Sequence, residues 1–201
     1  MEEIILASAS PRRSELLSLI GVPFKVIVSE ADESVQEEEP EKIVMELAYR
    51  KASAVAALPE AAGKVVLGAD TIVWCDGEVL GKPKDAADAD RMLHMLQGHV
   101  HSVYTGAAIL QRSADSGADQ CRQFYRCTKV HVHEMTQDEI DAYIATGEPF
   151  DKAGAYGIQG PFAAYVDGIE GDYQTVVGLP VSAVYQELKD FSGDVLCRMI
   201  I

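Results

Sequence analysis

An apolar strand that runs straight into a basic helix start constrains this chain more than any other stretch. Ile4, Ile5, Leu6 and Ala7 are followed by Ser8-Ala9-Ser10-Pro11-Arg12-Arg13, then by Leu16, Leu17 and Ile20 at helical spacing, with Gly21 to stop the helix. Ser10 suits the N-cap and Pro11 the first helical position. The first turn leaves backbone N–H groups without helical partners, and Arg12 and Arg13 add two permanent cations at the same end, so the junction predicts an anion grip. The alternative is that both arginines are solvated or pair with acidic residues downstream, because strand-to-helix turns occur in many unrelated proteins.

The rest of the chain continues this α/β pattern. Val22 to Val28 reads as a second strand, and an acidic stretch with Glu30, Asp32, Glu33 and Glu37 to Glu41 leads into a helix whose apolar side carries Ile43, Val44, Leu47 and Val55. Arg50 and Lys51 fall in the middle of that helix, where residue type alone favours a solvated face over a lysine turned inward to a phosphate. Lys64 to Trp74 is an apolar run interrupted by Gly68 and Asp70, and Asp76-Gly77 turns it into Glu78-Val79-Leu80 as a hairpin. Asp70 thus sits inside a central strand, and a charged aspartate there needs a metal, a basic neighbour or a cleft. Lys82, just after the hairpin, is the candidate neighbour.

Asp85 caps a helix through Leu96 that Gly98 closes. His99 and His101 then share one face of a strand, which reads as a polar strand edge or, with a third ligand, a metal site. Residues 111–123 read as a long hairpin loop, and the return strand alternates through Phe124 to His133 with its histidines facing solvent. Thr136 and Glu139 form a capping box ahead of a short helix that ends at Gly147. Residues 148–160 crowd three glycines, charges and an amide into one stretch, a composition suited to a ligand loop. Phe162 to Val166 reads as a strand with Gly168 in a turn, Gly171-Asp172 and Gly178-Leu179-Pro180 mark loops, and Val181 to Leu188 forms a last helix. The tail after about residue 190 has no clear pattern.

With 201 residues, 48% hydrophobic and 24% charged, the chain can bury a sizeable core. No long linker or internal repeat appears, so the expectation is one α/β domain over 1–201 with a mixed sheet. The net charge of −15 argues against a nucleic-acid partner or an anionic membrane, so an anionic ligand needs a local basic pocket. The four cysteines form no CxxC pair, which fits a reducing cytoplasm, and no apolar run approaches the roughly 18 residues that span a bilayer. The basic helix start, the acids Glu33 and Asp70, and the lysines Lys51, Lys82 and Lys152 make a set suited to polyphosphate chemistry. Walker, GxSxG and HExxH motifs are absent from the sequence.

Several stretches carry a family resemblance. Leu6-Ala7-Ser8-Ala9-Ser10-Pro11-Arg12-Arg13, Gly68-Ala69-Asp70-Thr71-Ile72-Val73, Gly81-Lys82-Pro83, Tyr104-Thr105-Gly106, Asp151 to Gly160 and Val177 to Pro180 resemble the Maf family of nucleoside triphosphate pyrophosphatases, in order from about residue 4 to 190. The resemblance implies an elongated mixed sheet flanked by helices with a central cleft, related to the inosine triphosphatase fold. It also implies hydrolysis of a nucleoside triphosphate substrate to monophosphate and pyrophosphate. Asp70 would be the general base. Glu33 and Asp70 would hold a divalent metal cation, Mg²⁺ or Mn²⁺, and Ser8, Ser10, Arg12, Arg13, Lys51, Lys82 and Lys152 would bind substrate. Arg13, Thr71 and Gln159 match the subgroup acting on dTTP and UTP, with Gln159 acting as a buried amide against the pyrimidine edge. The competing reading is a non-catalytic, nucleotide-binding regulator of cell division, the process of septum formation attached to the family name. A homodimer is compatible with either.

Overall fold

The computed structural model describes residues 3–113 and 118–192. A mixed seven-stranded sheet runs through it, flanked by helices, as the sequence predicts. Its strands are β1 (Ile4–Ala7), β2 (Phe24–Val26), β3 (Val65–Cys75), β4 (Glu78–Leu80), β5 (Val100–Gln111), β6 (Gln120–Val132) and β7 (Val166–Glu170). The order is β2-β1-β3-β5-β6-β7, with β4 paired to β3. β1 lies parallel to both β2 and β3, with Leu6 opposite Val26 on one side and Leu67 on the other, whereas β4 is antiparallel to β3 and β7 to β6. Parallel neighbours on both sides explain why all four residues of β1 are apolar and buried.

The helices are α1 (Pro11–Leu19), α2 (Pro40–Ala56), α3 (Ala86–Leu96), α4 (Gln137–Ala145), α5 (Tyr173–Val177) and α6 (Val181–Ser192). Packing divides the chain into two compact units. One contains residues up to Asp70, Thr105–Arg126 and the chain from Gly178 onward; the other contains Thr71–Tyr104 and Cys127–Val177. The first has a core of Ile5, Ala7, Val66, Ala108 and Leu110 under the small-residue face of α2, namely Ala48, Ala52, Val55 and Ala56. The second is larger in side chain, with Leu80, Leu93, Leu96, Ile140, Tyr143, Tyr156 and Phe162 packed together.

Small residues on α2 have a direct consequence. A Cβ on Gly68 would lie 2.3 Å from the Ala48 carbonyl oxygen, and one on Gly106 would lie 2.4 Å from that of Val44. The backbone of α2 therefore rests on β3 and β5 at these two glycines, closer than any side chain would permit.

Several local expectations need correction. Ser10 occupies the N-cap of α1, but its side chain makes no cap; its backbone N–H donates instead to Ser8 Oγ at 3.1 Å. The strand expected over Val22 to Val28 is limited to β2. The hairpin loop is shorter than residues 111–123, because β5 reaches Gln111 and β6 starts at Gln120; residues 114–117 lie outside the described residues, as does the tail from 193. Phe162 to Tyr165 is 3₁₀-helical rather than extended, and Gly168 sits inside β7 rather than in a turn. Asp172 accepts from the Gln174 and Thr175 amides and starts α5, an element that its five residues left without a readable period. The Asp85 cap, the Thr136/Glu139 capping box and the Asp76-Gly77 hairpin stand as expected.

Candidate active site

The close approach at Gly68 sets the centre of the first unit. Gly68 and Asp70 lie on one face of β3, two residues apart, while Lys51 lies one helical turn beyond Ala48 on α2. Seating Ala48 and Ala52 on Gly68 thus delivers Lys51 to Asp70. Lys51 Nζ donates to Asp70 Oδ1 at 2.5 Å and reaches Glu33 Oε1 at 2.8 Å. Both Lys51 and Asp70 keep only 13% of their side-chain surface exposed, and Glu33 keeps 68%. The basic partner of the strand aspartate is therefore Lys51, and the solvated face that residue type favours for it is overturned. Arg50, its neighbour, does stay at the surface, paired with Glu46 and the Ser34 carbonyl.

Arg13 joins this cluster from α1. Its Nε donates to the Gly178 carbonyl at 2.8 Å and its guanidinium also reaches Ser8 Oγ at 3.4 Å. Burial pulls the guanidinium below its ordinary pKa, Asp70 opposes that shift, and Arg12 beside it adds to the lowering. Ser8 is buried and Ser10, Arg12 and Arg13 are half-buried around the same strand-to-helix turn. The first unit thus brings together Ser8, Arg13, Glu33, Lys51 and Asp70.

Glu33 and Asp70 present carboxylate oxygens to one point, since both meet the same ammonium. Hard oxygen donors suit Mg²⁺ or Mn²⁺. Among the described residues no group of three or more His, Cys, Asp or Glu side chains gathers to hold a metal. Two carboxylates are what the protein offers, a number that fits an ion shared with substrate phosphates.

The second unit carries Thr71, Lys82, Lys152 and Gln159. Thr71 is half-buried on β3, and Lys82 is exposed after β4. Lys152 Nζ donates to Asp151 Oδ1 at 2.6 Å and to the Glu148 carbonyl at 3.0 Å, and lies 3.9 Å from the Glu148 carboxylate. Lys152 is 14% exposed, Glu148 18% and Asp151 64%. Gln159 is exposed in the free protein. The stretch 148–160 is not an open loop but a succession of tight 3₁₀ turns, Glu148–Asp151 and Ala153–Ala155, with the Gly154 amide bound to the Gly81 carbonyl at 3.0 Å.

Of the strand histidines, His101 differs from expectation. His101 is buried, with Nε2 2.7 Å from the Tyr156 hydroxyl, so it is no polar strand edge. Burial, with His131 adding to it, lowers its pKa to about 4, and burial pushes the Tyr156 phenol above its ordinary range. His131 and His133 face acids on β7, Glu170 and Asp167 respectively. Glu148, Tyr143 and Tyr156 were not legible as contributors to this region. Glu148 and Tyr156 fall in the stretch whose composition suits a ligand loop, with no role distinguished for either, and Tyr143 reads as part of the apolar stripe of α4.

Fold and clusters together define an α/β protein that gathers permanent cations around a buried strand carboxylate, beside a helix N-terminus. Residues 3–191 match the model of the Maf-like protein family, and the chain belongs to that family. It is 53% identical over 194 residues to the dTTP/UTP pyrophosphatase of Bacillus cytotoxicus, covering 96% of this chain and 97% of that relative. It is 52% identical over 196 residues to the dTTP/UTP pyrophosphatase of Bacillus cereus, covering 97% and 98%. Among solved structures, the Ham1 protein of Staphylococcus aureus aligns over 66% of this chain and 73% of its own, with a TM-score of 0.42 and 16% identity.

Proposed function

We propose that this protein hydrolyses nucleoside triphosphates, preferentially dTTP and UTP, to the nucleoside monophosphate and pyrophosphate. The observation that carries the reading is the buried Lys51–Asp70 pair beside Arg13, on a chain whose near full-length relatives are dTTP/UTP pyrophosphatases. A non-catalytic regulator has no use for a buried carboxylate inside a cation cluster, and no observation favours it.

In this reading the triphosphate is bound by Ser8, Ser10, Arg12, Arg13, Lys51, Lys82 and Lys152. Binding offers the Lys51 ammonium phosphate oxygens in place of Asp70 Oδ1. Asp70, released from Lys51, accepts a proton from water as the water oxygen forms its bond to the α-phosphorus. The bond between the α-phosphorus and the bridging oxygen breaks, and pyrophosphate leaves with the electron pair. A divalent cation, Mg²⁺ or Mn²⁺, held by Glu33 and Asp70 supplies further charge neutralisation on the phosphates when bound. Arg13, Thr71 and Gln159 set base selectivity; the exposed Gln159 amide becomes buried only when a base covers it, and the wrong base then leaves it unpaired at about 1–3 kcal/mol.

Among the described residues no helix is long and apolar enough to cross a membrane, and Cys75, Cys121 and Cys127 are free thiols. Cys197 lies outside the described residues. The net charge of −15 supports a reading without nucleic-acid or anionic-membrane partners, a cytoplasmic location belongs to the same proposal, and the enzyme works as a monomer or a homodimer, which sedimentation distinguishes.

Pyrophosphate release from dTTP, UTP, CTP, ATP and GTP with Mg²⁺ or Mn²⁺ tests the proposal. Cleavage of dTTP and UTP ahead of the others is expected, with Gln159→Ala narrowing that preference by about ten- to a hundredfold. No cleavage of any triphosphate would overturn the activity. A purine preference, or an equal loss on all substrates in Gln159→Ala, would overturn the selectivity alone.

A further inference from the structure

The turn that carries Gln159 closes on a buried carboxylate that the proposed reaction does not use. A Cβ on Gly160 would lie 1.8 Å from Glu148 Oε1, and one on Gly157 would lie 2.9 Å from the same atom and 2.6 Å from Lys152 Cε. The backbone of residues 157–160 is thus wrapped directly onto the Glu148 carboxylate and the Lys152 stem. From the other side the Gly157 amide donates to the Tyr143 hydroxyl at 3.2 Å, and the turn is closed by Gly160 N–H to the Gly157 carbonyl at 3.2 Å. Tyr143 in turn senses Glu148: burial first, and then the neighbouring carboxylate, push its phenol above the ordinary value.

Glu148 gains little in stability from this position. Its Oε2 is buried without a hydrogen-bond partner among the described residues, and Lys152 Nζ stands 3.9 Å from its carboxylate while lying 2.6 Å from Asp151. A buried carboxylate with an unpartnered oxygen destabilises a fold. What the side chain does accomplish is to fill the space that the two glycines leave, and so to hold one shape of the turn.

We propose that Glu148 is a positioning residue for base selection, which acts with Tyr143 as the mould against which the turn 157–160 sets Gln159. This rests on the pyrophosphatase reading above. Without the mould, the two glycines leave the turn free to take many conformations, and Gln159 loses its fixed aim at the base. Base discrimination then falls more than turnover. The shape of the side chain matters here, not its charge.

The test compares Glu148→Ala, Glu148→Gln and Tyr143→Phe with the natural protein, by hydrogen exchange at the 157–160 amides and by kcat and KM on dTTP, UTP, CTP and GTP. In Glu148→Ala these amides should exchange about tenfold faster while the strands keep their protection. KM for dTTP should rise and the preference for dTTP over CTP and GTP should fall, each about tenfold, with kcat changed by less than about threefold. Glu148→Gln refills the turn and should restore both exchange and preference, with Tm at or above that of the natural protein. Tyr143→Phe should fall between the two. Unchanged exchange in Glu148→Ala, an equal loss on every substrate, or a Glu148→Gln that behaves like Glu148→Ala would each overturn the proposal. If the natural protein cleaves no triphosphate, the pyrophosphatase reading fails by itself, and faster exchange would then leave Glu148 as a loop anchor only, which also overturns the role in base selection.

Discussion

Each of the two units holds a nearly buried lysine between one buried and one exposed acid, yet the two arrangements are wired differently. Lys51 makes its short contact with the buried acid, Asp70, and a second with the exposed Glu33. Lys152 makes its short contact with the exposed acid, Asp151, and stands off from the buried one, Glu148. In the proposed reaction, the carboxylate in direct contact with an ammonium is freed when phosphate draws that ammonium off. A buried carboxylate whose cation is elsewhere is left to serve by its shape. The same residue types therefore support chemistry in one unit and positioning in the other, and the difference lies in which acid the lysine touches.

The largest expected difference is in the rate. Asp70→Asn keeps the side-chain shape and removes the base, so it should lower kcat by roughly 10²- to 10⁴-fold. The matching change in the other unit, Asp151→Asn, should alter kcat by less than about threefold, because that acid is exposed and outside the chemical step. Steady-state pyrophosphate release checks both, and equal losses would erase the distinction between the two centres.

Stability gives the second contrast. Lys51→Met leaves Asp70 buried without its counter-charge and should lower the unfolding free energy by about 3–5 kcal/mol. Lys152→Met removes a lysine whose short contact is exposed, and the loss should be about 1 kcal/mol. Urea unfolding of the two variants measures the difference, and a larger loss for Lys152→Met would reverse the assignment of which pair is intimate.

A third effect sharpens the second unit alone, through His101. Its pKa is lowered from 6.5 to about 4 in the folded protein, by burial first and by His131 second. Between those two values the unfolded chain binds a proton that folded His101 refuses, so stability is present above the unfolded pKa and falls as pH drops through the window. The shift corresponds to on the order of 3 kcal/mol between pH 6.5 and 4. His101→Gln cannot titrate, so its unfolding free energy should fall less over the same range; identical pH slopes for the two proteins would remove His101 as the source.

Much of the first unit was legible because its signals are local. The strand-to-helix turn at Ser8 to Arg13 and the strand aspartate at Asp70 depend on residues within a few positions of one another, as do the caps of α3 and α4 in the second unit. Charge type gathered Glu33, Lys51, Lys82 and Lys152 as candidates and the family resemblance gave them and Gln159 their expected roles, although nothing local distinguished Lys51 from its neighbour Arg50. Strands β1 to β6 and the helices other than α5 follow from period, length and punctuation, whereas β7 lies where a turn was expected and α5 was too short to show a period.

What remained for the tertiary structure to decide was contact between distant residues. Lys51 meets Asp70 because Gly68 and Gly106 let α2 descend onto β3 and β5, a matter of backbone clearance that no side-chain pattern reports. His101 is buried against Tyr156, 55 positions away, although its own strand neighbours read as polar. Glu148 packs under a turn of glycines, where composition placed it only within a ligand loop. Residue type and spacing determine which groups the chain has and which elements carry them. Which of those groups lose water, and against whom, depends on how closely the elements pack, and that distance set the partner of Asp70 and the role of Glu148.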